Sequence, residues 1–195
     1  VPTFNVSNFA LSNNTNAFRI QQPTPANNSL SLAVDLSMLV SVKNPNLFTI
    51  PLHEVDVEAF LVVPGGNKTA IGKGSSSSLS FPSKSTSNFT LPFTLTYYSM
   101  DGAQAILADP ALGVILNACG ITNPAQTSNL NIAYTAKVSV PPLDTFGIRP
   151  SFDGRLDVAC PLDAGMVTTL GQIIAQLAKG GNGAAAAAAA AAAFA

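Results

Sequence analysis

The chain of 195 residues contains 47% hydrophobic but only 10% charged residues, and its formal net charge is −1 at pH 7. Charged residues make up about 25% of ordinary soluble domains. Here Ser, Thr and Asn supply the missing polarity, a composition that is common outside the cell. The sequence has no block of Lys or Arg, which argues against nucleic acid as a partner and against an electrostatic membrane-surface patch.

The two ends of the chain raise separate questions. No apolar segment reaches the roughly 18–20 residues that a membrane-spanning helix needs. The sequence starts at Val1 rather than at Met, so we expect either a cleaved signal or a membrane anchor upstream. Residues 180–195 are rich in Gly and Ala and include an unbroken run, Ala184–Ala193. This tail fits either a helix, because alanine is the best helix former, or a stretch of unassigned residues.

The clearest predicted element is a long β-strand that begins at Leu30 and ends at Asn44-Pro45-Asn46. Apolar residues occupy every second position from Leu30 to Val42, and mostly Ser, Asp and Lys lie between them. A period of two predicts a strand with one buried face. Proline cannot donate to the ladder and asparagine tolerates turn geometry, so Asn44, Pro45 and Asn46 are predicted to form a structural turn.

The same alternation recurs along the chain and predicts about seven strands. The others cover residues 55–63, 89–97, 130–140 and 156–160, with shorter strands at 3–11 and 70–72 and a Ser-rich loop before residue 89. Many short strands separated by turn signals are typical of antiparallel β-sandwiches. The predicted fold class is therefore all-β, an immunoglobulin- or fibronectin III-like sandwich.

Two helical segments interrupt this pattern. Apolar residues at helical spacing predict a helical insertion over about 100–120, split or restarted at Asp109-Pro110, and a second, amphipathic helix near the C-terminus. Asp163 is the predicted N-cap of the second helix and Gly180 its predicted stop. The predicted organisation is a β-sandwich domain over 1–162, an amphipathic helix over 163–179 and the tail over 180–195.

Residue types that enzymes use most are scarce. His53 is the one histidine of the sequence, and no Cys or His lies near it at a zinc-binding spacing. Asp35, Glu54, Asp56 and Glu58 fall on the outward faces of predicted strands, where acidic residues more often guard a sheet edge against pairing than act as an acid/base pair. We therefore predict no catalytic residues, no metal site and no cofactor.

The two cysteines of the sequence are Cys119, at the end of the helical insertion, and Cys160, at the end of a predicted strand. In a chain otherwise free of cysteine they are either a disulfide or two buried thiols. The hydroxyl-rich surface favours the disulfide, which would contribute roughly 2–4 kcal/mol to stability.

Five asparagines satisfy the rule for N-glycosylation, in which Ser or Thr follows two positions later and proline does not intervene. This is roughly twice the number that chance would supply in a sequence so rich in Asn, Ser and Thr. We expect all five to lie in loops or at strand margins, where a glycan is tolerated, and we predict a glycosylated protein. The sites are Asn5, Asn13, Asn27, Asn67 and Asn88.

Three stretches together resemble the group-2 late-embryogenesis-abundant domain, also called the WHy domain. They are "PTFNVSNFALSN", "LSLAVDLSMLVSVKNPNLFTIPLHEVDVEAFLV" and "AIGKGSSSSLSFPSKSTSNFTLPFTL", and the resemblance covers roughly residues 2–140. The most specific part is the strand that ends in Asn-Pro-Asn. The resemblance implies a β-sandwich without catalytic residues, often tethered by an upstream membrane helix and facing the extracellular or vacuolar side, with roles in stress tolerance or surface interactions. The helical insertion and the C-terminal helix depart from it.

These observations favour a non-catalytic, glycosylated, extracytoplasmic structural or interaction module. A sharper version is a subunit of an extracellular filament or surface layer that associates through its N-terminal strand, Val1–Leu11, by strand addition, or through the C-terminal helix. The alternative is a membrane-anchored, stress-related carrier or sensor of lipid or another apolar ligand. The two differ in internal volume, since a carrier needs an apolar cavity of several hundred Å3.

Overall fold

The computed structural model describes residues 2–13, 16–23, 29–99, 102–125 and 127–179. Gly180, the tail and the Asn27 sequon lie outside these residues. The described ranges contain eight strands and four helices. In chain order they are β1 (Thr3–Leu11), β2 (Phe18–Gln21), β3 (Leu30–Asn44), β4 (Ile50–Val62), β5 (Lys68–Phe81), β6 (Ser85–Ser99), α1 (Gly102–Ala108), α2 (Pro110–Ala118), β7 (Leu130–Ser139), α3 (Pro141–Asp144), β8 (Ser151–Val158) and α4 (Ala164–Ala178).

All eight strands belong to one antiparallel sheet in the order β1-β3-β6-β5-β4-β7-β8, and β2 pairs with β3 beyond the end of β1. The long strand β3 pairs with β6 along its whole length, from Leu30 opposite Ser99 to Asn44 opposite Ser85. The sheet curls, so that its two end strands approach each other. The ring centroids of Phe4 on β1 and Phe152 on β8 are 5.7 Å apart.

The curl depends on the junction between β5 and β6, which pair only from Gly72 to Gly74. A Cβ atom on Gly72 would lie 2.5 Å from the carbonyl oxygen of Thr94 and 2.7 Å from the ring of Phe93. A Cβ atom on Gly74 would lie 2.5 Å from the carbonyl oxygen of Pro92. Glycine is therefore needed at both positions for the two halves of the sheet to meet.

The Gly72→Ala variant is expected to lower the free energy of unfolding by about 2 kcal/mol, because the new methyl group meets backbone as well as a ring. Urea unfolding measures the change. Gly113→Ala is the matched control: Gly113 lies exposed on α2, and a methyl group added there would have no other atom within 4 Å, so alanine should stabilise the helix by about 1 kcal/mol. Equal effects of the two substitutions would contradict this account of the junction.

The core lies inside the curl and is capped at one end by helices. Alternate residues of β3 are buried along the strand, as the period of two requires. Where β6 and β8 end and β7 begins, α1, α2 and α4 close the core with buried apolar residues, which include Ile106, Leu112, Ile115, Leu170, Ile173 and Leu177. No helix in the described ranges is both long and apolar enough to cross a membrane.

The helix boundaries agree with the sequence interpretation. Asp109 caps α2 by accepting a hydrogen bond from the Ala111 N–H, and Pro110 opens the helix. Asp163 caps α4 by accepting from the Met166 N–H. The insertion is therefore split at Asp109-Pro110 as predicted.

The antiparallel all-β prediction is confirmed in its general form, but the immunoglobulin- or fibronectin III-like sandwich is not confirmed, because the described strands form one continuous sheet. One prediction was wrong and one strand was missed. The predicted Ser-rich loop is largely β5, whose serines pair through their backbone with β4. The short strand β2 was not predicted at all.

Candidate functional site

The Asn-Pro-Asn motif forms the connection between β3 and β4. Asn44 is fully buried, and its Nδ2 donates to the carbonyl oxygens of Phe48, Phe81 and Pro82 at 3.0, 2.9 and 3.0 Å. Its Oδ1 accepts a hydrogen bond from the Asn46 N–H at 3.0 Å. One side chain thus ties the β3–β4 turn to the β5–β6 turn, and the exposed Pro45 follows it where the strand has ended.

The cysteines lie at the helical end of the molecule. Cys119 is the C-cap residue of α2 and is joined by a disulfide to Cys160, with 4.9 Å between the Cα atoms. Cys160 follows β8 and precedes α4. The bond therefore fastens the helical insertion to the segment that leads into the C-terminal helix.

Four of the predicted glycosylation sites lie in described residues: Asn5, Asn13, Asn67 and Asn88. Asn5, Asn67 and Asn88 are exposed, and Asn67 lies in the β4–β5 turn. Asn5 and Asn88 lie close to the first residues of β1 (Thr3–Leu11) and β6 (Ser85–Ser99) rather than in loops. Both are paired with Ser41 of β3, so they stand on either side of it on the outer face of the sheet.

The interior contains an apolar cavity between the two halves of the sheet. It encloses about 80 Å3 and is lined by side chains from β1, β3, β4, β6, β7 and β8. Phe4 and Phe152, each about two-fifths exposed, contact each other at its edge. Sites that hold a drug-sized ligand measure about 300–1,000 Å3, so this cavity is small unless Phe4 and Phe152 separate.

The titratable groups do not converge. His53 is exposed, with its Nδ1 3.7 Å from Asp144 Oδ2. Asp144 also accepts a short hydrogen bond from the Ser139 hydroxyl. The predicted role of Asp35, Glu54, Asp56 and Glu58 as edge guards is wrong, because β3 and β4 both have partner strands on each side and so are inner strands. In the ranges that the structure describes, no group of three or more His, Cys, Asp or Glu residues could hold a metal ion.

Tyr97 and Asp109 form a hydrogen bond that sequence reasoning missed. The Tyr97 hydroxyl donates to Asp109 Oδ2 at 2.6 Å, while the other carboxylate oxygen caps α2. Burial, followed by the hydrogen bond to Asp109, raises the pKa of Tyr97 well above its ordinary value. The pair joins β6 to the start of α2 and serves the packing of the helical end.

Asp35 on β3 is the acceptor in a second polar cluster. Arg19 on β2 donates to both carboxylate oxygens of Asp35, at 2.6 and 2.9 Å, and the Thr94 hydroxyl donates at 3.0 Å. The Arg19 hydrogen bonds, opposed by desolvation and aided by Thr94, hold the pKa of Asp35 below its ordinary value. This cluster fastens the short strand β2 to the sheet.

The Arg19→Gln variant should be slightly less stable than the parent at pH 7, since both partners are partly exposed and such pairs contribute little. The pKa of Asp35 is lower in the folded state than in the unfolded chain, where it is about 3.9. The pair therefore contributes fully to the free energy of unfolding above about pH 3.9, and this contribution is lost as the pH falls through the folded-state pKa. Urea unfolding at pH 7 and at low pH should show the difference shrink in acid. Lys68→Gln, at a cation with no ion pair among the described residues, is the control. A difference that grows in acid would contradict the assignment.

Fold and site together define a class: an all-β domain with a curled antiparallel sheet, a buried asparagine turn and an apolar interior. The LEA_2 family, Late embryogenesis abundant protein, matches residues 39–153. The chain therefore belongs to the LEA_2 family. No curated protein matches it significantly.

Solved structures give weaker likenesses. An Arabidopsis thaliana protein solved in solution is 18% identical, with 80% of each chain covered and a TM-score of 0.36. A crystal structure of a protein from Archaeoglobus fulgidus is 11% identical, with 82% of this chain and 100% of that chain covered and a TM-score of 0.37. Because both scores are below 0.5, the family assignment rests on the LEA_2 match.

Proposed function

We propose that the chain is a non-catalytic structural or interaction module on the extracytoplasmic side, either released or anchored to a membrane, with N-glycans on its outer surface. The observation that carries this proposal is the Cys119–Cys160 disulfide, since disulfides persist in oxidising compartments and are rare in the cytosol. The exposure of Asn5, Asn67 and Asn88 supports it, because a sequon must be accessible to carry a glycan.

Peptide mass spectrometry of protein made through a secretory pathway tests the proposal site by site. Enzymatic glycan removal converts an occupied asparagine to aspartate, which marks the site by its mass. We expect conversion at Asn67 and at one or both of Asn5 and Asn88, whose neighbouring positions could limit double occupancy. The buried Asn44, which is not in a sequon, is the internal control. Absence of conversion at every sequon would contradict the proposal.

Self-assembly into a filament or surface layer is the sharper form of the proposal. Among the described residues, the end strands β1 and β8 each have a partner strand on one side only, so each offers an edge to a strand from a neighbouring copy. The edge is favoured over the C-terminal helix as the contact, because Leu170, Ile173 and Leu177 of α4 pack into the chain's own core. Light scattering at increasing concentration should show growing assemblies, whereas monomers at every concentration would contradict this form.

The second candidate function is a carrier or sensor of lipid or another apolar ligand, and the apolar cavity favours it. Saturable binding of Nile red, abolished by Ala136→Phe, would support this function, because Ala136 lines the cavity and a phenylalanine would fill it. Ala103→Phe, placed in the distant helix α1, is the control. Binding that is absent, or unaffected by filling the cavity, would leave the module as the better account.

Within the LEA_2 family we assign the chain to the group-2 or WHy type. The support is the long strand that ends in Asn44-Pro45-Asn46, together with the strand and glycine-containing segment that follow it. On this assignment the curled sheet is a variant of a sandwich, with its halves joined at the Gly72–Gly74 junction. Amide hydrogen exchange at Gly72–Gly74 would test whether the halves separate into two sheets.

A further inference from the structure

Large apolar side chains that remain exposed are concentrated at one end of the molecule. Among the described residues, the exposed large hydrophobics are Phe4, Leu39, Leu47, Phe48, Tyr98, Leu107, Phe146, Ile148 and Phe152. The four in connecting segments are 78% (Leu47), 66% (Phe48), 77% (Phe146) and 53% (Ile148) exposed. We call the end that carries them the apical end and define it by loops 45–49, 82–84 and 145–150.

Topology brings these three loops together. At the apical end β3, β5 and β7 finish and β4, β6 and β8 begin. Asn44 binds the carbonyl oxygens of Phe48 and Pro82, and the Lys84 N–H donates to the Asn46 carbonyl oxygen at 3.0 Å. The third loop follows α3, whose last residue, Asp144, has its Oδ2 3.7 Å from Nδ1 of His53 near the start of β4. The helices that cap the core lie at the opposite end, so they do not cover this one.

The charge at the apical end is positive although the chain as a whole has a net charge of −1. Loops 45–49, 82–84 and 145–150 contain Lys84 and Arg149 and no acidic residue, and Lys43 lies just below them on β3. All three cations are exposed. Acidic residues border the three loops: Asp144 precedes the third loop and Asp153 follows it on β8, and Asp56 of β4 lines the same surface groove as Arg149.

Protruding apolar side chains surrounded by cations match the chemistry of an anionic bilayer surface, where apolar groups enter the headgroup boundary and cations meet lipid phosphates. None of the five sequons falls in the three loops, but Asn5 and Asn88 both pair with Ser41 of β3, so glycans at these two positions would border the apical end. We propose that the apical end docks on anionic phospholipid membranes, with Leu47, Phe48, Phe146 and Ile148 inserted at the interface. This goes beyond the proposed function and, together with it, requires anionic lipid in the leaflet that faces the extracytoplasmic side, since the cytoplasmic leaflet carries most of the anionic lipid in cells. The test of the proposed function by glycan mapping is independent of lipid binding.

A fluorescence experiment on the full chain tests the docking directly. The sequence has no tryptophan, so Phe146→Trp creates a single reporter at the apical end. Tyr98→Trp, at an exposed site near the helical end of β6, is the matched control. With phosphatidylcholine vesicles that contain phosphatidylserine, Phe146→Trp emission should shift to shorter wavelength and be quenched by brominated acyl chains, while Tyr98→Trp should not respond. No response at the apical reporter, or equal responses at both, would overturn the proposal.

Vesicle sedimentation separates the apolar and electrostatic contributions. The double variant Leu47→Ser, Phe146→Ser should lower partitioning by at least about tenfold, and its fold is checked by circular dichroism because both side chains are exposed. The double variant Lys84→Gln, Arg149→Gln should lower binding to phosphatidylserine vesicles and leave the weak binding to pure phosphatidylcholine unchanged. Light scattering that shows a dimer dissociated by Leu47→Ser, Phe146→Ser would overturn the proposal, because a second copy would then cover the apical end.

Discussion

Replacing Asn44 with alanine is expected to lower the free energy of unfolding by about 3 kcal/mol or more. The substitution removes the Asn44 partner of the Phe48 and Phe81 carbonyl oxygens and of the Asn46 N–H, and residue 44 itself has no solvent exposure. The Pro82 carbonyl oxygen keeps its hydrogen bond from the Ser85 hydroxyl. Each buried polar group left unsatisfied costs about 1–3 kcal/mol, although some groups will be reached by water. Because the three carbonyls belong to two different turns, the loss should also loosen the apical end.

Urea unfolding at pH 7, together with the melting temperature, measures the effect. Asn44→Asp should be at least as damaging as Asn44→Ala, since a carboxylate of the same shape cannot donate to any of the three carbonyls. Asn46→Ala is the matched control, because it keeps the backbone N–H that donates to Asn44 Oδ1. A loss at Asn44 no larger than the loss at Asn46 would contradict the role assigned to this side chain.

The double variant Cys119→Ser, Cys160→Ser is expected to lower the free energy of unfolding by about 4 kcal/mol. The bonded cysteines are 41 positions apart in sequence, and restricting a loop of that length in the unfolded chain accounts for a stabilisation of this size. The helical end should suffer most, since the bond holds the end of α2 against the segment before α4.

Chemical denaturation of the parent with and without reductant provides the comparison. Reduced parent and double variant should unfold at the same denaturant concentration, well below the oxidised parent. The single variant Cys119→Ser should match them and respond no further to reductant. An oxidised parent no more stable than the double variant would show that the two sulfurs contribute nothing as a bond.

Local features of the fold could be predicted from the sequence because they depend on neighbouring residues. The alternation from Leu30 to Val42 specifies a strand whatever it packs against. Asp109-Pro110 and Asp163 predict the starts of α2 and α4 from local signals, an N-cap aspartate and, for α2, a proline at the first helical position. Two cysteines allow only one bond, and the hydroxyl-rich composition favoured that bond over two buried thiols; the structure contains it.

The features that were missed depend on residues far apart in the chain. Asn44 was predicted to turn the chain, but the carbonyl oxygens of Phe81 and Pro82 that it binds lie 37 and 38 positions away. The serine-rich part of β5 does not alternate between apolar and polar residues, so the sequence does not predict a strand there. The segment is a strand because its backbone pairs with β4. The two halves of the sheet join at Gly72 and Gly74, because only glycine lets the backbone of β6 approach β5 so closely there.

The apical end shows the same limit. Lys43, Lys84 and Arg149 are spread over more than half the chain, so the sequence shows no cation cluster and argued against a membrane-surface patch. Only the sheet topology brings their loops to one end. The exposure of Phe48 and Phe146 likewise could not be told from sequence, because apolar residues in loops are often covered by neighbouring segments.

The measurement that tests the central claim most directly is the intact mass of the native protein under non-reducing conditions, before and after enzymatic removal of N-glycans. We predict a mass loss that corresponds to several glycans. After correction for each asparagine that glycan removal converts to aspartate, the remaining mass should lie two hydrogens below that of the reduced chain because of the Cys119–Cys160 bond. A native mass equal to that of the bare, reduced chain would contradict an extracytoplasmic module, and the carrier of an apolar ligand would then become the better account.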